Sequence, residues 1–427
     1  MTSSKRAAGL SSRATVLIGI FVIVLVIGLA VPAAAAARTS ATVKQWPVSF
    51  GPNDFIVAPD GTVFFSAPGV LVGRLNPATN ELTTWGIATF HLAIGPAFSV
   101  EFNGQTFTDD FTVALIRVNG QVRLLLPSSG VVVRWQLPAG SIDITASSTH
   151  IWASQFPDDD STQIASLDPV TDVVTTYDFP QSIAGSGGFI HGLSFGDDRL
   201  WFGVTETEIG DAVPFTQKTG ALDPATSTAN LWTLFSSPGA VSAGFGRTAT
   251  FAAGSAWTMY HSSDPTLTGA YRLKPDSGKV EFYNAPFGTP ASSGDIPVVE
   301  NVDRAMMAAG SGWAASTSEA DGVQSAQVAR WQPLGFRSVS AVSPEEPTVT
   351  VSTGSLTRSV SQVTPVITTI TPDTTTITGT FTSPNITIWS FADRRLQTRI
   401  VVSLAGVLYF GLVTPSTGDV VLAQLST

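Results

Sequence analysis

The stretch Arg74-Leu75-Asn76-Pro77-Ala78-Thr79-Asn80-Glu81-Leu82-Thr83-Thr84-Trp85 decides how this chain is read, because its frame recurs. An alternating strand runs into a proline-centred tight turn, and a second strand follows with an aromatic residue eight positions after the proline. The same frame reads Pro127 to Trp135, Pro169 to Tyr177, Pro224 to Trp232 and Pro275 to Tyr283, while Gln332-Pro333 keeps the proline but has Ala341 at the aromatic position. The prolines lie 42 to 58 residues apart, which is the period of one four-stranded blade of a β-propeller. The expectation is an all-β chain of seven blades, with eight as the alternative, each blade a meander of four antiparallel strands.

Bulk composition agrees with short strands and tight turns. Of 427 residues 13 % are charged and 43 % hydrophobic, with 38 Gly and 27 Pro. A propeller is one closed ring and can absorb nearly all of this length without a domain split. The formal charge is −10, and without the leader cations Lys5, Arg6 and Arg13 it becomes −13. Nucleic acid is excluded as a partner class, since phosphate binding needs a basic face. No cysteine is present, which excludes disulfides, thiolate zinc sites and cysteine nucleophiles together.

Residues 1–37 read as a signal peptide or N-terminal membrane anchor. A charged start precedes the apolar run Ala14 to Val31, and the small Ala35-Ala36-Ala37 lies before Arg38. The run is also nearly long enough to cross a bilayer, and in either case the rest of the chain lies outside the cytoplasm. Residues 38–341 carry the blades. Thr42 to Val48 resembles the aromatic outer strand of a repeat although no repeat precedes it, and the C-terminal residues 391–427 supply only three strands. Residues 43–50 are therefore expected to complete this last blade, so that the ring closes without a free sheet edge. Between them, residues 342–390 are rich in Thr, Ser, Val and Pro and lose the frame. They read as a β insertion that the ring can do without, or as a degenerate blade. Asn385-Ile386-Thr387 is a lone glycosylation sequon.

The second strand of a repeat carries Phe64, Trp152, Trp201, Trp257, Trp313 or Tyr409. Counting ten residues back from each reaches the start of the inner strand, where side chains approach the central channel. These positions are Asp54, Ile142, His191, Arg247, Asp303 and Arg399, and alignment of Phe90-His91-Leu92 adds His91. Such a ring of ionisable groups could hold a polar ligand or a metal, or could simply be wet channel lining. The loop between second and third strands varies most in length and marks the expected binding face. It brings Asp158, Asp159, Asp160, Glu206 and Glu208, and clustered carboxylates on such a loop suit a hard cation, magnesium or calcium. The expected partners are a small molecule, a peptide or a cell-surface ligand.

At Ile190-His191-Gly192-Leu193, at Gly196-Asp197-Asp198-Arg199-Leu200-Trp201-Phe202-Gly203, and at Ala58-Pro59-Asp60-Gly61 followed by Val72-Gly73-Arg74-Leu75-Asn76-Pro77, the chain resembles streptogramin lyase (virginiamycin B lyase) propellers. That resemblance implies a metal-assisted elimination, a C–O lyase reaction that opens a cyclic depsipeptide at the channel, with His as base and Glu near the metal. His191 matches the motif histidine and His91 holds the equivalent place in an earlier repeat, so these two are the candidate catalytic residues. The Glu is not matched: three residues after each second-strand aromatic stand Ala67, Gln155, Val204, Tyr260, Ser316 and Leu412. The sequence therefore points to a lyase-like propeller that binds a ligand without the full catalytic site.

Overall fold

The computed structural model describes residues 38–158, 161–180, 189–206, 215–237, 249–252, 254–260, 269–284, 306–308, 311–320, 323–331, 337–383, 386–396, 401–402 and 406–427. The leader lies outside them. Among the described residues one turn of 3-10 helix, Pro275–Ser277, interrupts an otherwise all-β chain, and no helix is long and apolar enough to cross a membrane.

The strands form a β-propeller. Sheet 1 is the meander Asp54–Val57, Val63–Ala67, Leu71–Asn76 and Glu81–Trp85. Sheet 2 runs His91–Gly95, Thr112–Ile116, Gln121–Leu126 and Val131–Gln136. Sheet 3 spans Gly140–Ala146 to Val173–Phe179, sheet 4 Phe189–Gly196 to Thr228–Ser237, and sheet 5 Ala249–Ala252 to Lys279–Asn284. Sheet 6 has ten strands. The first strands follow one another round the axis: 54–57, 91–95, 140–146, 189–196, 249–252, then Met306–Ala308 and Val401–Val402 of sheet 6, and back to 54–57.

Among the described residues, counted by hydrogen-bonded sheets, the ring has six members and not the expected seven. The cause is the strand Asp373–Ser383. It pairs on one side with Ile386–Ala392, the outer strand of the half-sheet built on Met306–Ala308, and on the other with Arg38–Val48. One hydrogen-bonded sheet of ten strands therefore carries two first-strand segments, Met306–Ala308 and Val401–Val402. Arg38–Val48 also pairs with the C-terminal strand Val420–Ser426, in register from Thr42 opposite Ser426 to Val48 opposite Val420. The N-terminal strand thus closes the ring.

The proline frame works as local chemistry requires. Pro77 sets φ for the turn, the Asn76 side chain accepts the Ala78 N–H at 3.0 Å, and Asn80 takes the left-handed conformation at φ 59°. Asp168 and Asp223 accept from Val170 and Ala225 in the same way, while Asp172, Ser227, Gly130 and Gly278 take the left-handed position. Asn, Asp and Gly tolerate that region best. The aromatic eight residues after the proline then enters a cleft between neighbouring sheets: Trp85 and Trp135 are buried, and Trp135 Nε1 donates to Asp172 of the next sheet at 2.9 Å. In sheet 2 a hairpin, Phe98–Phe102 with Gln105–Asp109, is inserted after the first strand, and its Phe98 and Val100 enter the cleft toward sheet 3.

The Thr-rich stretch forms no sheet of its own. It runs back round the ring, adding an antiparallel outermost strand to one sheet after another. Arg337–Ala341 pairs with sheet 5 and Glu345 bridges Leu231 of sheet 4. Thr350–Ser355, Ser359–Gln362 and Val366–Thr369 pair with sheets 3, 2 and 1, and Asp373–Ser383 with the N-terminal strand. The expected separable insertion is instead a belt over the outer edges.

Candidate functional site at the channel end

Of the expected channel residues, the structure brings Asp54 and His91 together. Asp54 starts the first strand of sheet 1 opposite Ser66 and is fully buried. One carboxylate oxygen, Oδ1, accepts the N–H of Phe55 at 3.1 Å, and Oδ2 accepts the N–H of Leu92 in sheet 2 at 3.0 Å. His91 Nδ1 lies 3.4 Å from the same Oδ2. Ser66 Oγ and Asn53 Nδ2 both donate to the Phe90 carbonyl, at 3.0 and 3.2 Å. Residues 53, 54 and 66 thus grip residues 90–92 of the neighbouring sheet.

The arrangement repeats two sheets on, at a residue the ten-residue count misses. Ile142 was the expected position, but Asp143 faces Ser154 as Asp54 faces Ser66. The turn between the paired ends Ala146 and Ile151 is one residue shorter than that between Val57 and Val63, and Ile142 falls in a bulge. Asp143 Oδ1 accepts the Ile144 N–H at 2.9 Å and Oδ2 accepts the Leu193 N–H of sheet 4 at 3.0 Å. Charge-assisted bonds to backbone N–H groups are among the stronger kinds. Here they tie one first strand to the next.

His191 is buried opposite Gly203. A Cβ at position 203 would stand 2.8 Å from its Cε1, so the imidazole uses the space that glycine leaves. Arg247, Asp303, Arg399, Asp159, Asp160 and Glu208 lie outside the described residues. Asp158 and Glu206 end the second strands of sheets 3 and 4. Among the described residues no group of three or more His, Asp and Glu could hold a metal ion.

Four of the six positions three residues after the second-strand aromatics are occupied by packing. Ala67, Val204 and Leu412 are core residues, and the fully buried Gln155 donates Nε2 to the Ala139 carbonyl at 3.1 Å. A carboxylate there would be desolvated without a partner.

A second polar centre lies on the outer strands of sheet 5. Glu281 is 1 % exposed and meets Lys274 Nζ at 2.9 Å, Lys279 Nζ at 3.1 Å, Arg272 Nη1 at 3.4 Å and the Tyr283 hydroxyl at 2.9 Å. Burial opposes its charge, but the bonds from Lys274, Tyr283 and Lys279, with the Lys274 charge, outweigh that and hold its carboxyl at about 2 instead of 4.5. A depressed carboxylate stabilises the fold above its unfolded value and loses that contribution as pH falls toward its folded one. Stability should therefore decline between about pH 4.5 and about pH 2. In urea titrations across that window, Glu281→Gln is expected to be weaker than wild type at pH 7 and to show a shallower acid loss; parallel curves would contradict this.

No family model matches the chain, and no curated protein matches it. Among solved structures, two variants of the apocarotenoid oxygenase of Synechocystis align with 70 % of this chain and 74 % of theirs, at 11 % identity and a TM-score of 0.34. An iodide structure of a Trichoderma reesei member of carbohydrate-active enzyme family AA12 aligns with 91 % of this chain and 97 % of its own, at 12 % identity and a TM-score of 0.32. The propeller assignment stands on the strand pairing above.

Proposed function

We propose that this chain is an exported propeller, secreted or tethered by its N-terminal segment, that binds a small-molecule, peptide or cell-surface ligand and lacks the full catalytic site of the streptogramin lyases it resembles. The observation that carries this reading is the use made of the channel-end carboxylates. Asp54 and Asp143 each accept one backbone N–H from their own strand and one from the next sheet, and four of the positions where the family carries Glu are filled by buried Ala67, Gln155, Val204 and Leu412. What remains is a scaffold with its carboxylates committed to holding the ring. We further read the ring as seven blades, two of them sharing the ten-stranded sheet. This is supported by the order of first strands round the axis and by a buried cluster between the two halves of that sheet, Trp313 and Trp389 against Leu408 and Phe410, like the clusters between separate sheets.

One contact favours the alternative of a magnesium- or calcium-dependent lyase-like enzyme. His91 Nδ1 stands 3.4 Å from the buried Asp54 carboxylate without completing a hydrogen bond to it, and a small shift would give the pairing that orients an imidazole as a base. The two readings separate on incubation of the mature protein with a virginiamycin-B-type cyclic depsipeptide and magnesium. Ring opening by elimination conserves mass, so the linear product is followed chromatographically. No conversion is expected; conversion that disappears in His91→Ala would overturn the binding reading.

A further inference from the structure

We propose that the belt is a clasp that holds the ring shut kinetically, built from docking units of seven residues, one for each cleft it crosses. Val342, Val349, Leu356, Val363, Ile370 and Ile377 are spaced seven apart. Each packs against a different one of six buried clusters, and each cluster lies between two successive four-stranded groups of the ring. A seven-residue extended unit covers about 23 Å, and the belt takes one such step from each cleft to the next.

The backbone repeats with the side chains. Val342, Leu356, Val363 and Ile370 donate their N–H groups, at 2.8 to 2.9 Å, to the carbonyls of Gly278, Asp172, Gly130 and Asn80. Every one of these acceptors is the left-handed residue three positions after a turn proline. At Gly130 and Gly278 a Cβ would run into the carbonyls of Val363 and Val342, so glycine also permits the close approach. Between the heptad residues Val360 also packs beside Leu356 against its cluster, while Thr350–Ser355 and Val366–Thr369 are exposed along their whole length.

Timing follows from chain distance. The meanders within each sheet join neighbours in sequence, whereas the Gln362–Ser129 hydrogen bond joins residues 233 apart. Contacts that close such long loops form late, and interactions absent from the folding transition state act on the unfolding rate. In a chain with no cysteine, a strap over six clefts does the work that cross-links do in other exported proteins.

The test uses the mature full-length chain. Leu356→Asp, Val363→Asp and Ile370→Asp are compared with Val366→Asp and Ile367→Asp, which place the same charge at exposed belt positions. Unfolding and refolding are followed by tryptophan fluorescence in denaturant jumps. Each docking variant should unfold at least tenfold faster while refolding within twofold of wild type, and both controls should match wild type within twofold. Val363→Thr, which keeps the side-chain shape, and Ile370→Val, which removes one methylene, should unfold about threefold faster and carry the comparison should an Asp variant not fold. The clasp is overturned if docking and control variants unfold alike, or if the docking variants slow refolding and leave unfolding unchanged.

Discussion

A chain lacking residues 38–50 should not reach the stability of the mature protein, and the loss should exceed that of any single core substitution. The strand Arg38–Val48 is held from both sides, by Asp373–Ser383 and by Val420–Ser426, and it places Ala41, Val43 and Trp46 in the core. Trp46 packs with Phe55, Phe65 and Leu75 of sheet 1 and Tyr409 and Leu422 of the last half-sheet, and its Nε1 donates to Asn80 at 3.1 Å. Truncating such a tryptophan alone costs about 3–5 kcal/mol, so Trp46→Ala measures a lower bound. Removing the strand also takes one of the two partners of Asp373–Ser383 and leaves two unpaired edges. Equilibrium urea unfolding is the measurement. A truncated chain with the midpoint of the mature protein would show that the ring closes without its N-terminal strand.

The second large effect should come from Asp54→Ala and Asp143→Ala. Each change leaves two backbone N–H groups without their acceptor, those of Phe55 and Leu92 or of Ile144 and Leu193. A buried donor left unsatisfied costs about 1–3 kcal/mol, so each variant should lose about 2–6 kcal/mol by the same principle. Asp54→Asn keeps the shape and one acceptor oxygen and should fall between wild type and Asp54→Ala. Wet channel lining without a structural role would tolerate all three within about 0.5 kcal/mol.

The propeller was legible because its turn chemistry is local. A proline in a tight turn and an aromatic eight positions later are both set by neighbours in sequence. Ring closure was legible too, since the unpaired Thr42 to Val48 matches a C-terminal group one strand short. The belt was not, although Val342, Val349, Leu356, Val363, Ile370 and Ile377 stand in plain view. An odd spacing sends successive side chains of one continuous strand to opposite faces, so neither a strand nor a helix template finds it. The belt docks through turns between short strands, and its partners lie in other repeats. Replacing residues 345–383 with a linker therefore removes an outer strand from sheets 1, 2 and 3 and from the N-terminal strand.

At the channel end the residue types were legible and their roles were not. Asp54 and His191 were found by counting from an aromatic, and His91 by alignment of Phe90-His91-Leu92; the count works while the turn and any bulge together keep the number of intervening residues. Where that turn loses one residue the count lands on Ile142 and passes over Asp143. A ladder-based alignment, pairing each inner-strand acid with the serine two residues after the aromatic, Ser66 or Ser154, would have found it. That each carboxylate is spent on the next sheet's backbone depends on the spacing of sheets round the axis, which no local pattern carries.

The central claim is that these carboxylates tie the ring together and do not serve a cation. Calorimetric titration of magnesium, calcium and manganese into the mature protein, Asp54→Asn and His91→Ala tests it most directly. The account predicts equal heats for all three proteins, with Asp54→Asn distinguished only by its lower urea midpoint. Saturable binding in the mature protein that vanishes in both variants, with the urea midpoint of Asp54→Asn unchanged, would contradict it.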